Sequence, residues 1–380
     1  MIPPEELARD YSAFRVSGRL LFTGHSHQAW PDVGREGIIE AWDDAALAVD
    51  DKWERAFAKA ERVREGFRAL LGDPGGAIAL DQNTHALVLR FLSALDLRRR
   101  PRLITSDGEF HTLRRQLARL GEAGLDLVHV PARPADTLAE RMASELDDRT
   151  SAVLVSCVLF EDSRIVPGLD ELARACEAKS VELLVDAYHA LGCLPFELPS
   201  AATWLVGGGY KYLQLGEGNC FLRLPVHADE LRPAITGWYA EFEEMAAEKT
   251  PGAVEYPHGG ARFAGSTYDP TSHYRAARVF DFWNVRGLAP HELRERYLHQ
   301  TTLLARGLDE LGLGVEQNRE PFGGFVAVEI DDADAVSRRL AELGVSTDSR
   351  GRHLRLGPAP YVTDDQLRAA LDALAGCLQS

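Results

Sequence analysis

From Ala77 to Val206 the chain repeats one pattern: a short run that is apolar at nearly every position, a turn, then a longer segment with apolar residues at helical spacing. The runs are Ala77 to Leu80, Leu103 to Thr105, Leu125 to Val130, Ala152 to Leu159, Val181 to Val185 and Thr203 to Val206. Between them lie the helical patterns His85 to Leu95, His111 to Leu120, Pro134 to Glu145 and Leu169 to Ala178. A strand that is apolar throughout must be covered on both faces, and a parallel sheet flanked by helices does this. The pattern therefore predicts an α/β fold with a mostly parallel sheet.

The flanking regions read differently. Leu20 to Thr23 predicts a short strand leading into the polar loop Gly24 to Trp30, with Pro31 opening a helix. Two helices follow between Ile38 and Leu71, stopped by Gly72-Asp73-Pro74-Gly75-Gly76. After Leu222 comes an irregular reach, Gly237 to Pro270, of a length that is usually functional in a compact domain. Helices are expected over His273 to Val285 and Pro290 to Leu311. Strand, helix, strand and helix then follow over Phe325 to Ile330, Ala333 to Leu343, His353 to Leu356 and Thr363 to Cys377, a small α+β domain. The 380 residues suit two domains: residues 46–284 as the large one, and 1–45 with 285–380 as the small one with an N-terminal arm.

A content of 45% hydrophobic and 26% charged residues is that of a soluble globular protein. No apolar run approaches the roughly 20 residues of a membrane span, and the first residues lack the basic-then-apolar order of a signal peptide. A cytoplasmic protein is expected. The net charge of −16 opposes nucleic acid and anionic membranes as partners, while leaving room for a small anionic ligand in a locally basic pocket. The five cysteines are scattered and form no CxxC pair, so neither a disulfide framework nor a metal site is expected.

Ligands of open parallel sheets bind beyond the carboxyl ends of the strands. The residues there are Asn83-Thr84-His85, Glu109-Phe110-His111, Cys157 to Ser163, Asp186 with His189, and Tyr210-Lys211. Asp186 ends one apolar strand, and Lys211 follows another in the turn Gly207-Gly208-Gly209-Tyr210-Lys211. Burial lowers a lysine's pKa and makes its amine a nucleophile towards aldehydes, while a carboxylate can keep a heteroaromatic nitrogen protonated. Both demands meet in pyridoxal phosphate chemistry. Asn83 and Thr84 open a helix, whose free amides and dipole favour a phosphate.

The segment Asp186-Ala187-Tyr188-His189-Ala190-Leu191-Gly192, followed by Tyr210-Lys211-Tyr212-Leu213, resembles the cofactor motif of kynureninases. These belong to the class V aminotransferase-like branch of fold type I pyridoxal-phosphate enzymes. Gly24-His25-Ser26, Gly237-Trp238, Phe263 to Pro270 and Arg355 to Tyr361 extend the resemblance over nearly the whole chain. It implies a large cofactor-binding domain with a sheet of the seven-stranded type. Lys211 would carry pyridoxal 5'-phosphate as a Schiff base and move protons, and Asp186 would pair with the ring nitrogen. Phe110 would stack on the ring, and His189 would support the acid or the cofactor oxygen. Asn83, Thr84 and Tyr210 would hold the phosphate, with Trp238, Ser266 and Thr267 reaching that of a neighbouring subunit in a homodimer. Arg355 would clamp the substrate α-carboxylate near His25 and Ser26. Ordinary readings stand beside these: Asn83 as a helix cap, Phe110 as core, His189 as a structural histidine, Arg355 in an ion pair.

Three departures bear on the reaction. Gly209 stands where kynureninases commonly have serine, Ser266-Thr267-Tyr268-Asp269-Pro270 replaces a Pro-Pro element, and no histidine lies near Lys52-Trp53. The expected reaction is kynureninase-like hydrolytic Cβ–Cγ cleavage of an amino acid, with a class V aminotransferase or another Cα/Cβ lyase as the alternative. A third reading is a catalytically silent, cofactor-binding regulatory protein. A cysteine desulfurase fits poorly, because no cysteine lies between Cys220 and Cys377.

Overall fold

A computed structural model describes residues 2–244, 252–315 and 322–379. Its strands are β1 (Leu20–Leu21), β2 (Ala77–Asp81), β3 (Arg102–Ser106), β4 (Asp126–Val130), β5 (Thr150–Ser156) and β6 (Glu182–Asp186). They continue with β7 (Trp204–Gly208), β8 (Cys220–Leu224), β9 (Val326–Glu329), β10 (Val345–Ser346), β11 (Asp348–Arg350) and β12 (His353–Leu356). Seven form the central sheet, in the order β2-β8-β7-β6-β5-β3-β4. β3 to β7 run parallel, as the unbroken apolar runs predict, and β8 is antiparallel to both β7 and β2.

Strand β8 is absent from the sequence reading. It returns from β7 through a loop without a crossover helix, so it stands outside the strand-helix rhythm. The expected helix from Pro134 to Glu145 is also shorter than predicted: a 3-10 turn, Ala135–Thr137, precedes an α-helix confined to Leu138–Ser144.

Alternate residues of the buried strands serve opposite faces of the sheet. In β5, Val153 and Val155 join one core with Phe67, Phe221 and Phe280. Ala152 and Leu154 join another with Phe91, Trp204 and Phe263. Phe67, on the helix Lys52–Leu71, is fully buried with its ring centroid 4.5 Å from that of Phe221 and 5.5 Å from that of Phe280. It thereby locks its helix to β8 and to the helix Thr271–Arg286.

A second sheet has the antiparallel order β11-β12-β9. The N-terminal arm is stitched to this region. β1 pairs in parallel with β10, and Gly357 donates its amide to Phe22 O at 2.7 Å. Gly24 lies so close that a Cβ there would stand 2.4 Å from Pro358 O, which is why the arm has glycine at this point. These ties lie between residues expected in one small domain, 1–45 with 285–380, and the helix Val33–Ala48 crosses the boundary expected at residue 45. Among the described residues, no helix is long and apolar enough to cross a membrane.

Truncating Phe67 to alanine should empty the contact between helix and sheet at a cost of about 3–5 kcal/mol. Urea unfolding checks this: a midpoint like that of wild type would show that the ring is not structurally decisive.

Candidate active site

Asp186 is the last residue of β6, aligned with Ser156 of β5 and Val206 of β7. Its Oδ1 accepts the Tyr188 amide at 2.8 Å. β7 ends at Gly208, and the turn beyond it folds back tightly: Leu215 donates its amide to Gly209 O, and Gly209 donates to Asn219 O, both at 2.9 Å. This turn carries Lys211 into the interior, where the residue is only 6% exposed. Its Nζ lies 2.7 Å from His189 Nε2. Aromatic rings surround the amine, with centroids at 4.6 Å for Tyr188, 5.4 Å for Phe110 and 5.9 Å for Tyr210. Phe110, Thr84, Asp186 and Val206 line a narrow cleft beside it.

The electrostatics follow from burial. Burial pushes the Lys211 amine down from 10.5 to about 7, against the opposing pull of Asp186. Burial also raises the Asp186 carboxyl, an effect that the Tyr188 amide and Lys211 oppose. His189 is held well below its ordinary pKa by burial and by the lysine's charge, so it is neutral, and its buried Nδ1 has no partner. An amine half deprotonated near pH 7 is a competent nucleophile towards a carbonyl carbon. Glu109, singled out by the strand-end argument without a role, is buried beneath this group. Its carboxylate accepts the hydroxyls of Ser106 at 2.5 Å and Ser156 at 2.6 Å, and burial pushes it up to about 7.

A second cluster adjoins the first. Arg355 on β12 is 2% exposed and pairs across the hairpin with Asp348 on β11. Its Nε and Nη2 donate to the two oxygens of Asp348 at 2.8 and 2.5 Å, and its Nη1 donates to Phe160 O at 2.6 Å. His25 Nε2 and Ser26 Oγ reach the same carboxylate at 2.9 and 3.2 Å. Burial acts to raise Asp348, yet His25 and Arg355 hold it well below the usual carboxylate range. Burial lowers His25 to about 4. Phe325 joins the clusters: its ring centroid is 4.5 Å from that of His25, 6.0 Å from that of His189 and 5.6 Å from the Arg355 guanidinium carbon.

The structure thus brings together Lys211, Asp186, His189, Phe110, Thr84 and Tyr210, and beside them Arg355, His25 and Ser26. The ordinary reading of Asn83 also has its observation: its Oδ1 accepts the Ala86 amide at 2.9 Å and caps the helix Thr84–Ala94. Tyr210 stacks on His27 at 5.1 Å, and burial pushes its phenol up to about 12. Trp238 lies apart, 40% exposed, its Nε1 donating to Thr267 Oγ1 at 3.1 Å. Ser266 and Thr267 line a separate cavity of about 550 Å³ with Arg64, Arg90, Tyr239 and Tyr268. That cavity is roomy, but it includes none of the Lys211 group, and the perturbed amine defines the reactive centre better than volume does. Asp348 and Phe325 escape the sequence reading. The available signal for Asp348 is its symmetry with Arg355 about the tight turn at Gly351, whose φ is +57°.

No family model matches the chain. It is 24% identical over 380 residues to the uncharacterized aminotransferase YcbU of Bacillus subtilis, covering 98% of this chain and 97% of YcbU. It is 22% identical over 355 residues to the kynureninase of Geobacillus thermodenitrificans, covering 86% and 79%. A structure of a C-DES mutant with glycine covalently linked to its PLP cofactor superposes with a TM-score of 0.85 at 17% identity, covering 97% and 98%. C-DES is a cystine C–S lyase. The chain has the fold of the fold type I pyridoxal-phosphate enzymes.

Two outcomes follow from this geometry. A Cβ at Gly209 would stand 2.5 Å from Leu215 Cδ1, so the turn has no room for the serine common in kynureninases. Gly209→Ser should lower stability by about 1–3 kcal/mol, and adding Leu215→Ala should recover part of the loss in a thermal melt. The second outcome concerns pH. Lys211 has a lower pKa folded than unfolded, so between about 7 and 10.5 the unfolded chain binds the extra proton and stability rises with pH. In cofactor-free protein, Lys211→Met should remove this rise, gaining more over wild type at about pH 6 than at about pH 9. Equal gains by urea unfolding at the two values would contradict the lowered amine.

Proposed function

We propose that the protein is a pyridoxal-phosphate-dependent enzyme acting on an amino acid, with Lys211 as the cofactor-bearing amine. The observation that carries this reading is a buried amine, pushed down to about 7 and ringed by Tyr188, Phe110 and Tyr210, with Phe110 and Asp186 together lining one narrow cleft. The surroundings fit the group. Asp186 suits a protonated ring nitrogen, Phe110 offers a face for the ring, and the helix start at Thr84 offers amides for the phosphate. His189, with a neutral ring and an orphan Nδ1, has capacity for one more bond. Bound there, the cofactor supplies an electron sink for charge developing at the substrate Cα.

The chain's own residues do the rest. The Lys211 amine would take and return the proton at the substrate Cα. His189 keeps the Lys211 amine oriented through the 2.7 Å contact. Asp186 favours the charged ring nitrogen, Phe110 excludes water from one face, and Arg355 holds the α-carboxylate.

We read the reaction as kynureninase-like hydrolytic cleavage. The strand-end motif around Asp186 and Lys211 and the full-length order of the other elements support this. The likeness to YcbU and to C-DES supports the second reading, transamination or another Cα/Cβ cleavage. All five cysteines are buried, which weighs against a thiol that relays sulfur and fits a cytoplasmic location. Trp238 and Thr267, bonded to each other and away from Lys211, fit service to the site of a second subunit in a homodimer.

Adding pyridoxal 5'-phosphate to the purified protein should produce a visible absorbance band that Lys211→Ala lacks. An unchanged band in the variant would sink the assignment. With the cofactor bound, kynurenine should yield a fluorescent anthranilate product. Absence of this product, together with reversible conversion of the cofactor to its amine form by an amino donor, would move the reading to transamination.

A further inference from the structure

The geometry points to Asp348 as the residue that positions Arg355 for a substrate carboxylate; the inference rests on the amino-acid reading above. The hairpin sets the arrangement. Arg350 pairs with His353 across the turn, which places Asp348 directly opposite Arg355. Directly opposed residues of an antiparallel pair project on the same face.

An ionised carboxylate only accepts, at about four lone-pair sites. Asp348 receives four donors: Arg355 Nε and Nη2, His25 Nε2 and Ser26 Oγ. It is saturated and has no site left for a substrate group. The guanidinium is not. Of its five N–H groups, two go to Asp348 and one to Phe160 O, so one on each terminal nitrogen is uncommitted while the side chain is 2% exposed.

A buried ion pair that served packing alone would gain nothing from stranded donors. Two such donors, on a planar group 5.6 Å from the ring that also touches His189, make a seat for one more carboxylate. Asp348 holds the Nε and Nη2 edge and prevents rotation about the Cδ–Nε bond, so the remaining donors keep one direction. It also fixes His25 with the proton on Nε2 and ties Ser26 of the N-terminal arm to the same point. The N-terminal arm and the β11–β12 hairpin thereby meet on one carboxylate.

The test uses the cofactor-loaded protein and its visible absorbance. Wild type is titrated with the standard L-amino acids and kynurenine; the compound that saturates at the lowest concentration is then compared with its decarboxylated amine. In Asp348→Ala the half-saturating concentration of the amino acid should rise about tenfold to a hundredfold, with that of the amine within about twofold of wild type. Asp348→Asn, which keeps the shape and one acceptor, should recover part of the loss. It carries the same comparison if the alanine variant does not fold. Equal weakening of amine and amino acid would mean a merely structural acid, and no weakening of either would also overturn the inference. If wild type responds to no amino acid, the amino-acid reading itself fails and the inference falls with it.

Discussion

The burial of one amine sets the terms for everything around it. Moving Lys211 from 10.5 to about 7 corresponds to on the order of 5 kcal/mol of discrimination against the ammonium form. Asp186 is close enough to oppose the shift, but it does not win, because the same burial penalises its own charge. The fold enforces this environment. β6 and β7 end side by side, the turn after β7 closes on Leu215 with no room for a Cβ at Gly209, and His189 and three aromatic rings fill the space where water would stand. A more open turn would hydrate the amine and return it to the ammonium form.

The carboxylate side is built on the opposite principle. There, charge is retained in a half-buried place by saturating it with donors. A buried ion pair contributes little to stability unless its remaining valences are met, and Asp348 meets all of its own while Arg355 does not. The asymmetry separates the scaffold from the seat. Phe325, in contact range of His25, His189 and Arg355, separates a region that disfavours charge from one that holds it.

What the sequence makes legible follows the range of the interactions. The parallel sheet is readable because each buried strand announces itself locally, and Asp186 and Lys211 because strand ends can be located from the same runs. Asp348 is not readable that way. β11 is three half-buried residues, Asp-Ser-Arg, with no apolar signal, and the bond from His25 joins residues 323 positions apart. Phe325 reads only as the start of a strand. β8 is missed because it reverses direction, and the resemblance places Trp238 with Ser266 and Thr267 at a phosphate that a single chain does not bring to them. Asn83 combines a local and a distant role: its cap is visible from its neighbours, whereas any phosphate contact depends on where the helix points.

The histidines of the two clusters divide the chemistry. His25 is neutral, its Nε2 bonded to Asp348 and its buried Nδ1, close against Gly357, without a partner. Its ring stacks on Phe325, and its bond to Asp348 fixes the arm. His189, also neutral, contacts the one amine that titrates near pH 7. In the proposed function, proton movement at the substrate Cα falls to Lys211, after β7, with His189, after β6, orienting its amine, while the arm and hairpin hold the substrate carboxylate. Reaction type is decided by the substrate's orientation, since the bond aligned with the ring's π system is the one an electron sink weakens.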